Sequence, residues 1–331
     1  MSTDKPLRMV TCMSCNTKVF IPGDLAPLSS VPCSKCGHSI MMPLRLRGLE
    51  LRAKIASGGM GTVYRAFDTV LEREVAVKLM KKELEEDPKG LESFYREARA
   101  QASLNHTNIV QIYSYDDWEG LRYLVMELAD RGTLDSRIEK YKSLPELDVL
   151  DIGIKIASAL DLVLKHDLIH CDIKPGNILF NADNEPKLVD FGLARKADSD
   201  PDDDLRGTPY YVAPEKVKRE KETFLSDMYS LGGTLYHALT GHTPFEAPTV
   251  EELVGAHVHT PLTPANQVLQ DITQATSDIL SRMMAKHPGD RFLSYDELRL
   301  ALEYARSQLL IQQSQAPEEN KPKGKTSWWR R

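Results

Sequence analysis

Apolar and polar side chains alternate over residues 49–56, 61–68, 73–80, 110–116 and 122–127, the two-residue period of strands with one buried face. Val75, Val77 and Leu79 show the pattern plainly. One helix-period segment, 89–104, interrupts this series. After residue 133 the period changes, and helical patterns dominate at 147–166, 225–240, 250–258, 273–285 and 295–310. The predicted class is α+β: a small β-rich lobe, then a large helical lobe, with the active site expected in the cleft between them. Ahead of these, T-K-V-F-I-P and H-S-I-M-M-P read as two short strands inside a cysteine-bearing unit, 9–43. Arg45-Leu46-Arg47 reads as a short basic joint leading into the body at 48–305. The helical period fades after about residue 305, so 306–331, polar and ending Trp328-Trp329-Arg330-Arg331, is predicted to be a disordered tail.

Composition changes this picture little. The chain has 331 residues, 41% hydrophobic and 27% charged, with a formal net charge of −6. That balance gives no electrostatic case for nucleic acid. No apolar run approaches the roughly 18 residues of a membrane span, and the first residues lack the apolar core of a signal peptide. A cytoplasmic protein is therefore expected.

Four of the five cysteines form two pairs, Cys12-x-x-Cys15 and Cys33-x-x-Cys36, with seventeen residues between them. Paired in this way and without a signal peptide, they point to a reducing compartment and to Zn²⁺. Each C-x-x-C turn aims two sulfurs at one point, and two turns close a tetrahedron. Gly37 permits a left-handed turn after the second pair. So short a segment cannot build a sufficient core, and metal would supply its folding energy. The alternatives are a redox dithiol pair or unligated thiols. His38 is a spare ligand and reads better as a surface residue. With Lys18 and Lys35 as its few basic residues, the unit reads as structural or as a docking module for a protein partner.

The most specific stretch is L-I-H-C-D-I-K-P-G-N-I-L-F-N-A-D-N-E-P-K-L-V-D-F-G, 168–192. It spaces Asp172, Lys174, Asn177 and Asp190 for moving a phosphoryl group to a hydroxyl: one carboxylate beside the hydroxyl, a second carboxylate and an amide on metal. The stretch resembles the catalytic and metal-binding loops of eukaryotic-type protein kinases. I-A-S-G-G-M-G-T-V-Y (55–64) resembles the glycine-rich loop of that family, V-A-V-K its phosphate-binding lysine strand, and G-T-P-Y-Y-V-A-P-E (207–215) the end of its activation segment. S-D-M-Y-S-L-G-G (226–233) is similar to the start of its central helix. The phrasing is closest to the bacterial branch.

The resemblance implies a two-lobed protein-kinase fold and an ATP-dependent protein serine/threonine kinase using Mg²⁺ or Mn²⁺. Asp172 would orient the substrate hydroxyl and accept its proton, and Asn177 and Asp190 would hold metal. Lys78, paired with Glu97, would position the phosphates, and Lys174 and Thr208 favour Ser/Thr over Tyr. Ala56, Ser57, Gly58, Gly59 and Gly61 would form the phosphate loop. Val63, Ala76, Leu179 and the gatekeeper Met126 would line the adenine pocket, with backbone bonds from Glu127 and Ala129 in a hinge at 127–129. Arg291 would pair with Glu215. Three positions depart from the family pattern: Ala56 for the first loop glycine, Cys171 for the arginine of H-R-D, and polar Gln101, which is expected to loosen its helix. These keep a second reading open, a pseudokinase that binds nucleotide or partners without turnover. Five aspartates between 198 and 204 read as a solvated loop.

Overall fold

The computed structural model describes residues 7–12, 14–85, 88–196 and 208–315, and the acidic run at 198–204 and the terminal W-W-R-R lie outside them. The chain divides into two compact units, one of 1–95 with 112–128, the other of 96–111 with 129–331.

The first unit is built on strands. β1 (Leu7–Thr11) pairs with β2 (Lys18–Pro22), and β3 (Ser30–Pro32) with β4 (Ser39–Met41). Then β5 (Leu44–Leu46), β6 (Leu49–Ser57), β7 (Gly61–Asp68), β8 (Arg73–Met80), β9 (Ile112–Trp118) and β10 (Leu121–Met126) form one six-stranded sheet, ordered β5-β6-β7-β8-β10-β9. Every pair in it is antiparallel. A short helix, α1 (Lys82–Glu85), follows β8, and α2 (Pro88–Ala102) begins in this unit.

Arg45 and Leu46, expected within a joint at 45–47, belong to the edge strand β5 of the sheet. Leu46 is fully buried and shares a core with Met41, Leu51, Val75, Val77 and Tyr123. Arg47 lies 4.9 Å over the Trp118 ring and 3.1 Å from Asp116. Two arginines make this stretch basic in sequence, and the buried leucine between them ties it to the sheet. The cysteine unit and the sheet therefore share apolar packing through Met41 and Leu46.

The second unit is helical, with α3 (Leu134–Tyr141), α4 (Glu146–Lys165), α5 (Pro214–Val217), α6 (Phe224–Thr240), α7 (Val250–His259), α8 (Ala265–Val268), α9 (Gln274–Met283) and α10 (Tyr295–Gln315). Its core is centred on α4 and α6, whose buried faces carry Ile152, Ile156, Leu160, Met228, Leu231 and Leu235. Thr223 starts α6 with a capping box: its hydroxyl accepts from backbone N–H groups of the first turn, and Ser226 reaches back to the cap. α10 runs past residue 305 because Ala305 and Leu309 remain buried and Arg306 pairs with Asp151 of α4. Two short ribbons complete the unit: β11 (Leu168–Ile169) with β14 (Arg195–Lys196), and β12 (Ile178–Phe180) with β13 (Pro186–Leu188) between them in the chain.

Candidate active site

In the sheet unit the register sets one face against the other. Val63 pairs with Lys78 and Ala76 with Met126, so these four share a face, opposite the buried Val75, Val77 and Leu79. The β6–β7 turn is tight: Ala56 pairs with Val63, Ser57 with Thr62, and the Gly58 N–H donates to the Gly61 carbonyl at 2.9 Å. A Cβ on Gly61 would stand 2.5 Å from the Leu79 carbonyl oxygen, so this glycine is required by sheet packing. A Cβ on Gly59 would meet nothing within 4 Å. That bare backbone fits a phosphate chain. Ala56 is accommodated because β6 is extended there. Lys78 Nζ lies 5.8 Å from the centre of the Phe94 ring.

In the helical unit the catalytic-loop candidates converge. Lys174 Nζ donates to Asp172 Oδ2 at 2.7 Å, and Asn177 Nδ2 donates to the same oxygen at 3.0 Å and to the Asp172 carbonyl at 2.9 Å. With its amide nitrogen engaged, Asn177 keeps Oδ1 for a hard cation. Asp190 sits in a left-handed conformation, φ 66°, with Oδ1 accepting from the Gly192 N–H at 3.4 Å. Its exposed carboxylate would offer a second oxygen of the kind Mg²⁺ favours, and so the residues present fit the metal. Phe191 is buried against His170, with ring centroids 4.7 Å apart. Asp172 and Thr208 line one cavity of 390 Å³ with Cys171, Val212 and Val254. Leu179 is bridged to Thr133, and Ala129 is buried. Glu97 is buried on α2. Gln101, expected to loosen α2, instead pins it: its buried Nε2 donates to the Val110 carbonyl at 2.7 Å.

A family model described as a protein kinase domain matches residues 49–301. The chain belongs to the protein kinase family. It is 36% identical over 261 residues to the serine/threonine-protein kinase PknH of Mycobacterium bovis, covering 78% of this chain and 44% of that kinase. It is 35% identical over 255 residues to PknE of the same species, 76% and 45%. With a probable serine/threonine-protein kinase of Clostridium perfringens it shares 32% over 252 residues, 75% and 37%. The chain thus spans under half the length of these curated relatives.

Several residues outside the candidate catalytic set hold this site together, and for one of them the sequence showed a motif but not its partners. Asp227 on α6 is fully enclosed and accepts the backbone N–H groups of His170 at 2.7 Å and Cys171 at 2.8 Å. Burial pushes its carboxyl up, against the His170 charge and these two amides. The signal was one carboxylate in an apolar helix run. Glu215 and Arg291, expected as a pair, make a two-pronged buried bridge at 2.7 and 2.8 Å, with Ser226 donating to Glu215 at 2.7 Å.

Beside Cys171 lies a second charged group with no sequence signal. Arg195 of β14 donates to Glu222 at 2.7 Å, and Lys216 of α5 lies 3.7 Å from the same carboxylate. In sequence R-E-K-E-T reads only as a solvated charge run. Burial raises the Cys171 thiol to about 12, with the Asp227 and Glu222 charges adding to it, so this cysteine is a quiet neutral residue.

The four N-terminal cysteines also converge, with all sulfurs within 4.8 Å of one another. Cys12–Cys36 and Cys15–Cys33 are 3.6 and 3.8 Å apart. A tetrahedron with Zn–S bonds of about 2.3 Å has edges of about 3.8 Å, so the thiols fit zinc. The two knuckles repeat one geometry: Asn16 N–H donates to the Cys12 carbonyl and Gly37 N–H to the Cys33 carbonyl, both at 2.9 Å, with left-handed φ values of 55° and 73°. Thr17, chiefly through its side chain, lowers the Cys15 thiol to about 6, while Cys36 is pushed up to about 11, against the His38 backbone N–H, by the neighbouring thiols and burial. Among the described residues no helix is long and apolar enough to cross a membrane.

Proposed function

We propose that the chain is a protein serine/threonine kinase that transfers the γ-phosphoryl group of ATP to Ser or Thr hydroxyls of proteins. The observation that carries this is the Asp172 environment. Both side-chain bonds to it fall on Oδ2, which leaves Oδ1 to orient a hydroxyl and take its proton. Lys174, held on Oδ2, would approach the phosphoryl group in transfer and offset its charge. Lys78 and the open backbone at Gly58 and Gly59 would hold the phosphates, Val63, Ala76, Met126 and Leu179 the adenine, and the hinge backbone at Glu127 and Ala129 its edge. Mg²⁺, held by Asn177 and Asp190, neutralises phosphate charge when bound. Glu97 would anchor Lys78, and Thr208, lining the Asp172 cavity, would help set the hydroxyl preference. Glu222 already occupies two basic residues beside Cys171, which supports turnover without a phosphate in that place.

The same reading gives Cys12, Cys15, Cys33 and Cys36 one Zn²⁺ in a structural role within 9–43, ahead of a kinase body at 48–305. The two C-x-x-C pairs, which suit metal in a reducing compartment, support cytoplasmic residence.

The test is transfer from labelled ATP to a generic basic protein substrate, with Asp172→Ala and Asp190→Asn as controls. Asparagine tolerates the left-handed backbone at 190, so folding is kept. Both variants should lose at least about 10²-fold in rate with unchanged melting. Near-normal turnover in either would overturn the assignment, and ATP binding without wild-type turnover would establish the pseudokinase reading.

A further inference from the structure

The chain as a whole is acidic, yet one cavity of the helical unit is walled by cations. It measures 500 Å³ and is lined by Arg131, Ser136, Arg137, Lys140, Tyr141 and Asn184, with no carboxylate among the lining residues. Ser136, Arg137, Lys140 and Tyr141 stand three and four residues apart on α3, so one helix face presents them together. The capping box of Thr133 and Ser136 fixes where that helix begins, and with it the direction of the face. Asn184 comes from the β12–β13 turn in a left-handed conformation, φ 61°.

Arg137 is the built part of this cavity. Its residue is 7% exposed, and its guanidinium lies 3.2 Å over the Phe180 ring. It donates to Asn184 Oδ1 at 3.3 Å and to the Arg131 carbonyl at 3.5 Å. Burial lowers its pKa to about 9, with Tyr141 and Asp148 acting the other way. Arg131 and Lys140 are exposed and reach the same space from solvent.

We propose that this cavity binds a phosphoryl group carried on a serine or threonine of a protein segment. Two guanidinium groups and one ammonium suit a dianion better than a single carboxylate, and arginine forks match phosphate oxygens in pairs. The cavity falls within the size range of ligand sites, so it leaves space for the flanking backbone. The choice of a phosphorylated protein segment rests on the kinase reading, since such segments are that reaction's product. The site would hold a partner already phosphorylated once and present it for a further transfer.

The experiment is fluorescence anisotropy without nucleotide, using a short Gly/Ala peptide with one phosphoserine, its unphosphorylated twin, and inorganic phosphate as competitor. The double variant Arg131→Gln/Lys140→Gln carries the test, because both side chains are exposed and folding is not at stake; Arg137→Gln should bind less still. The phosphopeptide should bind wild type at least about tenfold more tightly than it binds the double variant, and about tenfold more tightly than the twin binds wild type. The double variant's rate on a generic unphosphorylated substrate should stay within about twofold of wild type. Equal affinity for wild type and double variant overturns the proposal. So does equal affinity for the twin, or displacement by inorganic phosphate at the peptide's own concentration, which would mark a bare anion site. Binding is read without turnover. A protein that binds the phosphopeptide through these residues yet transfers no phosphate would refute the kinase reading and leave this site standing.

Discussion

Asp227→Asn isolates the part of the site that fixes the catalytic loop without touching nucleotide. Two backbone N–H groups, at 170 and 171, point at its two carboxylate oxygens from 2.7 and 2.8 Å. Cys171 holds a left-handed φ of 65°, which a residue with a Cβ adopts at a cost of about 1–3 kcal/mol. The two bonds oppose that cost. Asparagine keeps one acceptor oxygen and turns an NH₂ toward the other amide. One hydrogen bond to a charged group is lost, about 1.5–3 kcal/mol, and a buried donor is left unmade, about 1–3 kcal/mol. The native turn at 170–172 therefore loses about 2.5–6 kcal/mol relative to a relaxed one. Asp172 follows this turn directly, so the loss should appear in kcat, by about 10²- to 10⁴-fold, each factor of ten being about 1.4 kcal/mol. KM for ATP should move less than about threefold, because the nucleotide-binding candidates are other residues. Initial rates at saturating ATP give the first reading, and amide exchange across 168–174 gives the second, independent of activity. If kcat stays within about threefold and exchange at 170–172 is unchanged, the carboxylate does not hold the loop.

Two further outcomes follow from the same geometry. Stripping zinc with a chelator should speed amide exchange in β5 and β6 as well as across 9–43, because Leu46 and Met41 share the sheet's core and structural zinc supplies about 10–16 kcal/mol of apparent binding energy; exchange confined to 9–43 would mean the cysteine unit folds apart from the sheet, and elemental analysis should give one zinc per chain. Phosphatase treatment should change the initial rate by less than about tenfold, whereas Glu222→Gln, which strands Arg195 and Lys216 beside an amide, should cost about 3 kcal/mol of stability in the segment they border; a larger phosphatase effect would show that these two cations read a phosphate.

The candidate residues for chemistry stood out because such chemistry would constrain identity and spacing together: Asp172, Lys174, Asn177 and Asp190 sit within one stretch of chain, and the structure joins the first three by direct hydrogen bonds. The residues that hold them were not, because their constraint is geometric and their partners are distant in sequence. Asp227 lies 57 residues from His170, and nothing in S-D-M-Y announces two backbone amides across that gap. Cys171 illustrates the same limit from the other side. Read alone, it is a lost arginine and an argument against turnover. In the structure its surroundings are already neutralised, since Arg195 and Lys216 share the carboxylate of Glu222, drawn from a charge run that by pattern belongs to solvent. Gln101 follows suit: polarity in the helix pattern suggested loosening, and the buried bond to Val110 shows a polar group spent on a backbone acceptor. Leu46 failed for want of period, one apolar residue between two arginines being too short a pattern to announce an added strand. Two of the three departures from the family pattern, Cys171 and Gln101, thus take their meaning from partners that the linear sequence does not mark, whereas Ala56 needs only the extended backbone of β6.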